Sequence, residues 1–177
     1  VLNDPVLVSV LSRYSTPEKR IYLMAHFNHP RELTDVSIRA AEALNNAGVI
    51  VVNQTPILNG VNSDADTLTT LFRQVSFAGI SPYYVFQCRP ATGNLFFQVP
   101  VEQSYEVLQK SWQACSGLAK RARFVMSHAT GKIEMVGKTA EHVFMRYHQA
   151  ADPANIGKFM VFKRNPMARW FDDYQHA

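Results

Sequence analysis

Val49-Ile50-Val51-Val52-Asn53-Gln54-Thr55 decides the fold. Four β-branched apolar residues run without alternation and then give way to three hydrogen-bonding ones. An unbroken run of this kind fits a strand buried on both faces, as in a parallel sheet. Gly48 stands before it as a helix C-cap, closing the segment Pro30–Ala47. In that segment Leu33, Val36, Ala40, Ala41, Leu44 and Ala47 fall on one helical face. Downstream, Ser63–Ala78 reads as the next helix, with Leu68, Leu71, Phe72 and Val75 on its core side and Gly79 at its end.

The unit repeats outward. Ile21–Phe27 is an earlier strand, reached from a short helix that starts at Asp4-Pro5 and runs to about Tyr14. Pro82–Cys88 is a third strand. Val101–Leu118 is a helix with Tyr105, Leu108, Trp112 and Cys115 inside, and Ala122–Ser127 is a fourth strand. Strand and helix alternate about every 30 residues, which predicts an α/β fold of about three βα units plus a further strand, in a parallel sheet. After Lys132 the pattern changes to short stretches at Ile133–Val136, His142–His148 and Phe159–Lys163, read as a small antiparallel C-terminal extension. Trp170-Phe171 is expected to cover an edge or groove. Three βα units and a strand cannot close an eight-stranded barrel, which takes about 250 residues. The sheet is therefore either small and open, or a part of a barrel.

Composition narrows the classes. With 177 residues, 47% hydrophobic and 18% charged, the chain can bury a core, and it is neither disordered, collagenous nor a long coiled coil. No apolar run is long enough to span a bilayer. Two cysteines, Cys88 and Cys115, exclude a disulfide scaffold, and also an iron–sulfur cluster or Cys-rich zinc site held by this chain alone. The chain begins Val1-Leu2-Asn3, without an initiator Met or a signal peptide, and a cytoplasmic location is expected. Net charge is +4, concentrated in the last third. Those charges are scattered among apolar residues and read as a solvated face, so neither nucleic acid nor membrane is expected as a partner.

Parallel α/β folds gather their sites at the C-terminal ends of strands. Here the four strand ends carry His26 and Asn28, then Asn53, Gln54 and Thr55, then Gln87, Cys88 and Arg89, then Ser127 and His128. Lys132 follows closely after Ala129-Thr130-Gly131. His26 and Asn28, two apart, would share one strand face. Polar groups buried at such ends need partners, and a ligand can supply them. Plainer readings stay open: His26 as a cap of the sheet end, Arg89 as a surface ion-pair partner, Lys132 as an ordinary loop lysine. His26 and His29 are a weak metal pair, with Glu32 the one carboxylate close by.

Three segments go further. His26-Phe27-Asn28-His29-Pro30, Asn53-Gln54-Thr55-Pro56-Ile57-Leu58-Asn59-Gly60-Val61-Asn62 and Pro82-Tyr83-Tyr84-Val85-Phe86-Gln87-Cys88 resemble, in order and separation, motifs of the lysine 2,3-aminomutase family of radical S-adenosylmethionine enzymes. The likeness runs to about residue 136. It implies an open six-stranded βα barrel, a 4Fe–4S cluster on a Cys-x3-Cys-x2-Cys motif, S-adenosylmethionine as the radical source, and pyridoxal phosphate carrying the migrating amino group. It also implies that residues 1–127 match the later barrel strands as a half barrel, and that 128–177 match the cofactor-lysine region in divergent form. His26, Asn28 and Gln54 would then face the S-adenosylmethionine and pyridoxal phosphate pocket. Lys132 would stand where the family's cofactor-bearing lysine stands, its amine exchanging between cofactor and substrate.

The chain departs from the family in telling places. It has no Cys-x3-Cys-x2-Cys. Arg89 and Ser127 occupy the positions of two aspartates that hold the substrate's distal ammonium in lysine-specific members. A cation there repels an ammonium and suits a carboxylate. Asn59 replaces an arginine, the glycine run is shortened to Ala129-Thr130-Gly131, and C-terminal cysteines are missing. The resulting expectation is a fragment of an aminomutase-like enzyme for a small amino acid other than lysine, inactive alone because it lacks the cluster motif. The alternative is a non-catalytic half barrel that self-associates through its open edge or binds a partner or phosphate ligand.

Overall fold

The computed structural model describes residues Val1–Ala177. Helix α1 is Pro5–Tyr14, capped by the Asp4 carboxylate, which accepts the Leu7 N–H. Then follow β1 (Tyr22–Ala25), α2 (Asp35–Asn46), β2 (Ile50–Ile57), α3 (Ala65–Phe77), β3 (Ser81–Gln87), α4 (Val101–Gln113) and β4 (Arg123–His128). The chain continues as β5 (Gly131–Lys138), β6 (His142–Ala150) and β7 (Phe159–Lys163). All seven strands form one sheet in the order β1 to β7; β1–β4 are parallel and β4–β7 antiparallel.

Sequential parallel order fixes where the helices go. Crossovers between parallel strands are right-handed, so α2, α3 and α4 all lie on one face. Leu44 of α2, Leu68, Leu71, Phe72 and Val75 of α3, and Leu108 of α4 pack there on Val51, Ile57, Val85, Phe124 and Met126. The same core runs on under the antiparallel half through Ile133, Met135, Val143, Met145 and Phe162. The other face carries no helix, and on it Tyr22 and Met24 are exposed. No helix is long and apolar enough to cross a membrane.

Three expectations need correction. The Pro30–Ala47 segment is not one helix: Pro30–Glu32 is a 3-10 turn, and α2 starts at Asp35, where the Thr34 hydroxyl accepts the Ser37 N–H. Val36, placed on the core face, is 58% exposed. Helix α4 stops at Gln113, where Ser116 starts a separate turn by accepting the Ala119 and Lys120 N–H groups. The antiparallel C-terminal extension is present, and because β5 pairs directly with β4 it continues the same sheet.

The two sheet edges differ. Strand β1 pairs only with β2. The outer edge of β7 is covered by residues 175–177: the Lys163 N–H donates to Gln175 O and the Ala177 N–H to Val161 O. The segment before this tail also finishes α4. No side chain caps that helix; the Val101 N–H donates instead to Ala168 O at 2.8 Å. Glu102, 2% exposed in the first turn of α4, accepts Arg164 Nε at 2.7 Å and the Asn165 N–H at 2.9 Å.

Candidate functional site

Alternation along the strands divides the polar residues between the two faces. At the end of β1 the chain leaves strand geometry after Ala25, and His26 and Asn28 part company. His26 stays on the helix-free side, exposed, and its Nε2 accepts from the Gln54 amide. Asn28 turns under the end of β2, where its Oδ1 accepts the Thr55 hydroxyl at 2.9 Å. The fully buried Asn62 amide then donates to Asn28 O and Pro56 O, each at 2.9 Å. Asn53 completes the splice by bonding both the N–H and the carbonyl of Phe27. The expectation that His26 and Asn28 share a face is therefore wrong. His29 takes the cap of the 3-10 turn, its Nδ1 accepting the Arg31 N–H.

Arg89 is exposed just past β3, where its carbonyl accepts the Asn94 amide at 2.7 Å. Cys88 and Cys115 are both buried, and burial pushes both thiols up. No three His, Cys, Asp or Glu side chains converge as a metal-ligand set. The donors of this chain do not fit an iron–sulfur cluster.

The β4–β5 hairpin builds a pocket of about 540 Å³. Ser127, His128, Gly131, Lys132 and His148 line it. Register places Lys132 opposite Ser127. The Lys132 side chain reaches back across the helix-free face of β3, and its Nζ lies 4.4 Å from the Tyr84 ring centroid and 5.9 Å from that of Phe86. It makes no ion pair; the nearby carboxylate, Glu134, is held by Arg123 at 3.1 Å and Arg146 at 2.8 Å. His148 stands edge-on to Tyr84, centroids 5.8 Å apart. Burial first, then the charges of Arg123, Arg146 and Lys132, hold the His148 imidazolium below its ordinary range. Behind the hairpin a chain of polar groups fixes one tautomer. Tyr147 OH bonds Thr130 Oγ1, Thr130 Oγ1 bonds His128 Nδ1 at 2.8 Å, and His128 Nε2 bonds Asp172 at 3.2 Å. Asp172 lies in a 3-10 turn, Phe171–Asp173, and Phe171 packs on His128 and Phe162.

The structure thus brings Ser127 and Lys132 to one pocket and joins His26 to Gln54. It uses Asn28 inside the β1–β2 splice and leaves Arg89 at the rim. Tyr84, His148 and the His128–Asp172 pair were not singled out in the sequence. Tyr84 was in view only as part of a motif, whereas nothing local to His148 or Asp172 marks them.

Because His148 is held neutral in the fold, the unfolded chain takes up its proton first as pH falls. Its contribution is complete above about pH 6.5, the ordinary histidine value, and is lost below it. A His148→Phe variant should therefore lose less stability than the parent between pH 7 and pH 5 in urea titrations. Parallel loss in both proteins would refute this.

In fold, the chain is similar to a radical SAM methyltransferase from Sphaerobacter thermophilus, at TM-score 0.50 and 15% identity, over 69% of this chain and 38% of that one. No family model matches the chain. By sequence, the chain belongs with the lysine 2,3-aminomutase family. It is 55% identical over 175 residues to a protein of Aquifex aeolicus (strain VF5) described as "Putative L-lysine 2,3-aminomutase", covering 98% of this chain and 47% of that protein. It is 35% identical over 105 residues to the L-lysine 2,3-aminomutase of Clostridium subterminale, covering 59% and 24%. Against the glutamate 2,3-aminomutase of Clostridioides difficile (strain 630) it is 36% identical over 99 residues, covering 56% and 24%. The chain spans about half the length of the Aquifex relative.

Proposed function

We propose that this chain is the later-strand and cofactor-lysine portion of an aminomutase-like radical S-adenosylmethionine enzyme, a cytoplasmic isomerase that moves an amino group between adjacent carbons of an amino acid. Residues 1–127 stand for the later part of its barrel and 128–177 for the cofactor-lysine region. The observation that carries this reading is Lys132. In a chain related to aminomutases, Lys132 lines the hairpin pocket, and its amine, free of any ion pair, lies beside that pocket over the Tyr84 ring.

Pyridoxal phosphate fits these residues. Lys132 would hold its aldehyde carbon, with Ser127 and Gly131 lining the approach. Bound there, the cofactor supplies an electron-withdrawing ring to the migrating amino group. His148 offers a neutral imidazole beside that amine, able to accept a proton from it. His26 and Gln54, joined on the same sheet face, would meet S-adenosylmethionine, with Asn28 holding the loop beneath them. Arg89 and Ser127 would receive the substrate's distal end, and a guanidinium there favours a carboxylate over an ammonium. The iron–sulfur cluster finds no ligand set here, so in this reading it is bound by sequence beyond this chain, and the chain alone is inert.

The test is direct. Incubation with pyridoxal phosphate followed by borohydride should add the cofactor's mass to the peptide containing Lys132, and Lys132→Ala should remove at least nine-tenths of that signal. Equal labelling of the variant would overturn the assignment. Reductive cleavage of S-adenosylmethionine by the chain alone would overturn its inertness.

A second reading has its own support. The β1 edge is unpaired, and beside it Val6 and Val10 of α1 and Tyr22 of β1 are 70%, 45% and 60% exposed. A bare parallel edge with apolar flanks favours pairing with another copy. Size-exclusion chromatography with light scattering separates this homodimeric half barrel from a monomer.

A further inference from the structure

Lys132 is held without a counter-ion. An ammonium that is half-buried in a protein is ordinarily placed by a carboxylate. Here the one nearby carboxylate, Glu134, is taken by two guanidiniums, Arg123 Nη1 at 3.1 Å and Arg146 Nη2 at 2.8 Å. What remains beneath Nζ is the face of Tyr84, 4.4 Å from the ring centroid, with Phe86 at 5.9 Å. Tyr84 is itself rigid. It is 2% exposed, in tilted contact with Tyr83 and Phe86, and met edge-on by His148.

We propose that Tyr84 is the positioning residue of Lys132: its ring face holds the amine beside the hairpin pocket through a cation–π contact that takes the place of a salt bridge. The difference matters for a lysine that has to react. A carboxylate holds an amine by stabilising its charge and hydrogen-bonding its protons, and both effects oppose attack on a carbonyl. A ring face also favours the charged form, but by a weaker attraction, about 0.5–2 kcal/mol, and it engages only the N–H groups turned toward the ring, leaving the others free. The aromatic wall of β3 thus supplies orientation, and the Arg123–Glu134–Arg146 cluster takes up the carboxylate of Glu134 that could otherwise pair with the amine.

The inference rests on the reading of Lys132 as the cofactor lysine, and one experiment on the full 177-residue chain tells the two apart. Methylene protons of a lysine lying over an aromatic face resonate upfield of those of a solvated lysine. Carbon–proton spectra, with the Lys132 signal assigned by comparison with Lys132→Ala, should show such a shift in the parent and in Tyr84→Phe, which keeps the ring. Tyr84→Leu should lose it. The initial rate of borohydride-trapped labelling of Lys132 by pyridoxal phosphate, normalised to the folded fraction, should match the parent in Tyr84→Phe and fall at least tenfold in Tyr84→Leu. An unshifted Lys132 signal in the parent, or unchanged labelling in folded Tyr84→Leu, overturns the positioning role. Should Tyr84→Leu fail to fold, the comparison of the parent with Tyr84→Phe still decides: a shift absent from either one overturns the role, and a shift in both supports it. A shifted signal with no labelling in the parent supports the hold by Tyr84 and overturns the cofactor reading instead.

Discussion

Gly131→Ala will unfold the hairpin that carries Lys132. Gly131 has φ +141°, a conformation that L side chains rarely adopt. A Cβ built there would lie 2.2 Å from Gln149 O and 2.7 Å from the Ala150 Cα. Both obstacles are backbone of β6, paired to Gly131 in register, and neither can rotate away. The strand must move, and with it Lys132 and His148, which line the same pocket. A loss of at least ~3 kcal/mol is expected in urea denaturation, the range in which forced backbone strain falls. Gly137 in the same strand is the control. Nothing lies within 4 Å of the site of its Cβ and its φ is unexceptional, so Gly137→Ala should stay within about 0.5 kcal/mol. Equal effects at the two positions would show the clash to be relieved by a small shift. Gly131 thus has a structural duty in this chain: it lets β5 and β6 meet at the hairpin end of the sheet.

The second large effect is expected at Glu102. Its carboxylate is 2% exposed and accepts from Arg164 and from the Asn165 N–H, with Lys138 3.9 Å away. Removing one partner of a buried pair leaves the other uncompensated, which costs about 3–5 kcal/mol. Arg164 keeps 30% of its side chain in solvent, which places Glu102→Ala at the lower end, ~3 kcal/mol. Glu102→Gln keeps an acceptor for the Asn165 N–H and should lose roughly half as much. Chemical denaturation with a two-state fit gives both values. A loss under 1 kcal/mol for the alanine variant would mean that water replaces the carboxylate.

Local pattern carried most of the fold. The Val49–Thr55 run, the Asp4 cap and the apolar periods of α3 and α4 are short-range signals, and each marks an element that is present. The errors have local causes too. Leu33 continues the apolar period across the 3-10 turn at Pro30–Glu32 and so disguises the true start of α2 at Asp35. The continuity of β4 with β5 was hidden for a different reason: short antiparallel strands read alike whether they join a sheet or stand apart from it. The candidate site was legible in part, from the polar residues at the ends of β1–β4. Ser127 and Lys132 face each other because the hairpin between them is tight. Tyr84 and His148 are 64 positions apart in the chain, and His128 and Asp172 are 44 apart. Only the folding of β6 and of the tail onto the sheet brings these pairs together, and no periodicity records that.

The tail has one more consequence, in the order of synthesis. Helix α4 starts at residue 101, yet the acceptor for its first N–H is the carbonyl of residue 168, and the partners of its buried glutamate are residues 164 and 165. Gln87, at the end of β3, likewise donates to the carbonyl of residue 169. A chain leaving the ribosome can pair β1 to β4 early, but the start of α4 and the Glu102 carboxylate stay without these partners until residues 164–168 have emerged. Residues 164–169 therefore act as the clasp that closes the start of α4 against the sheet.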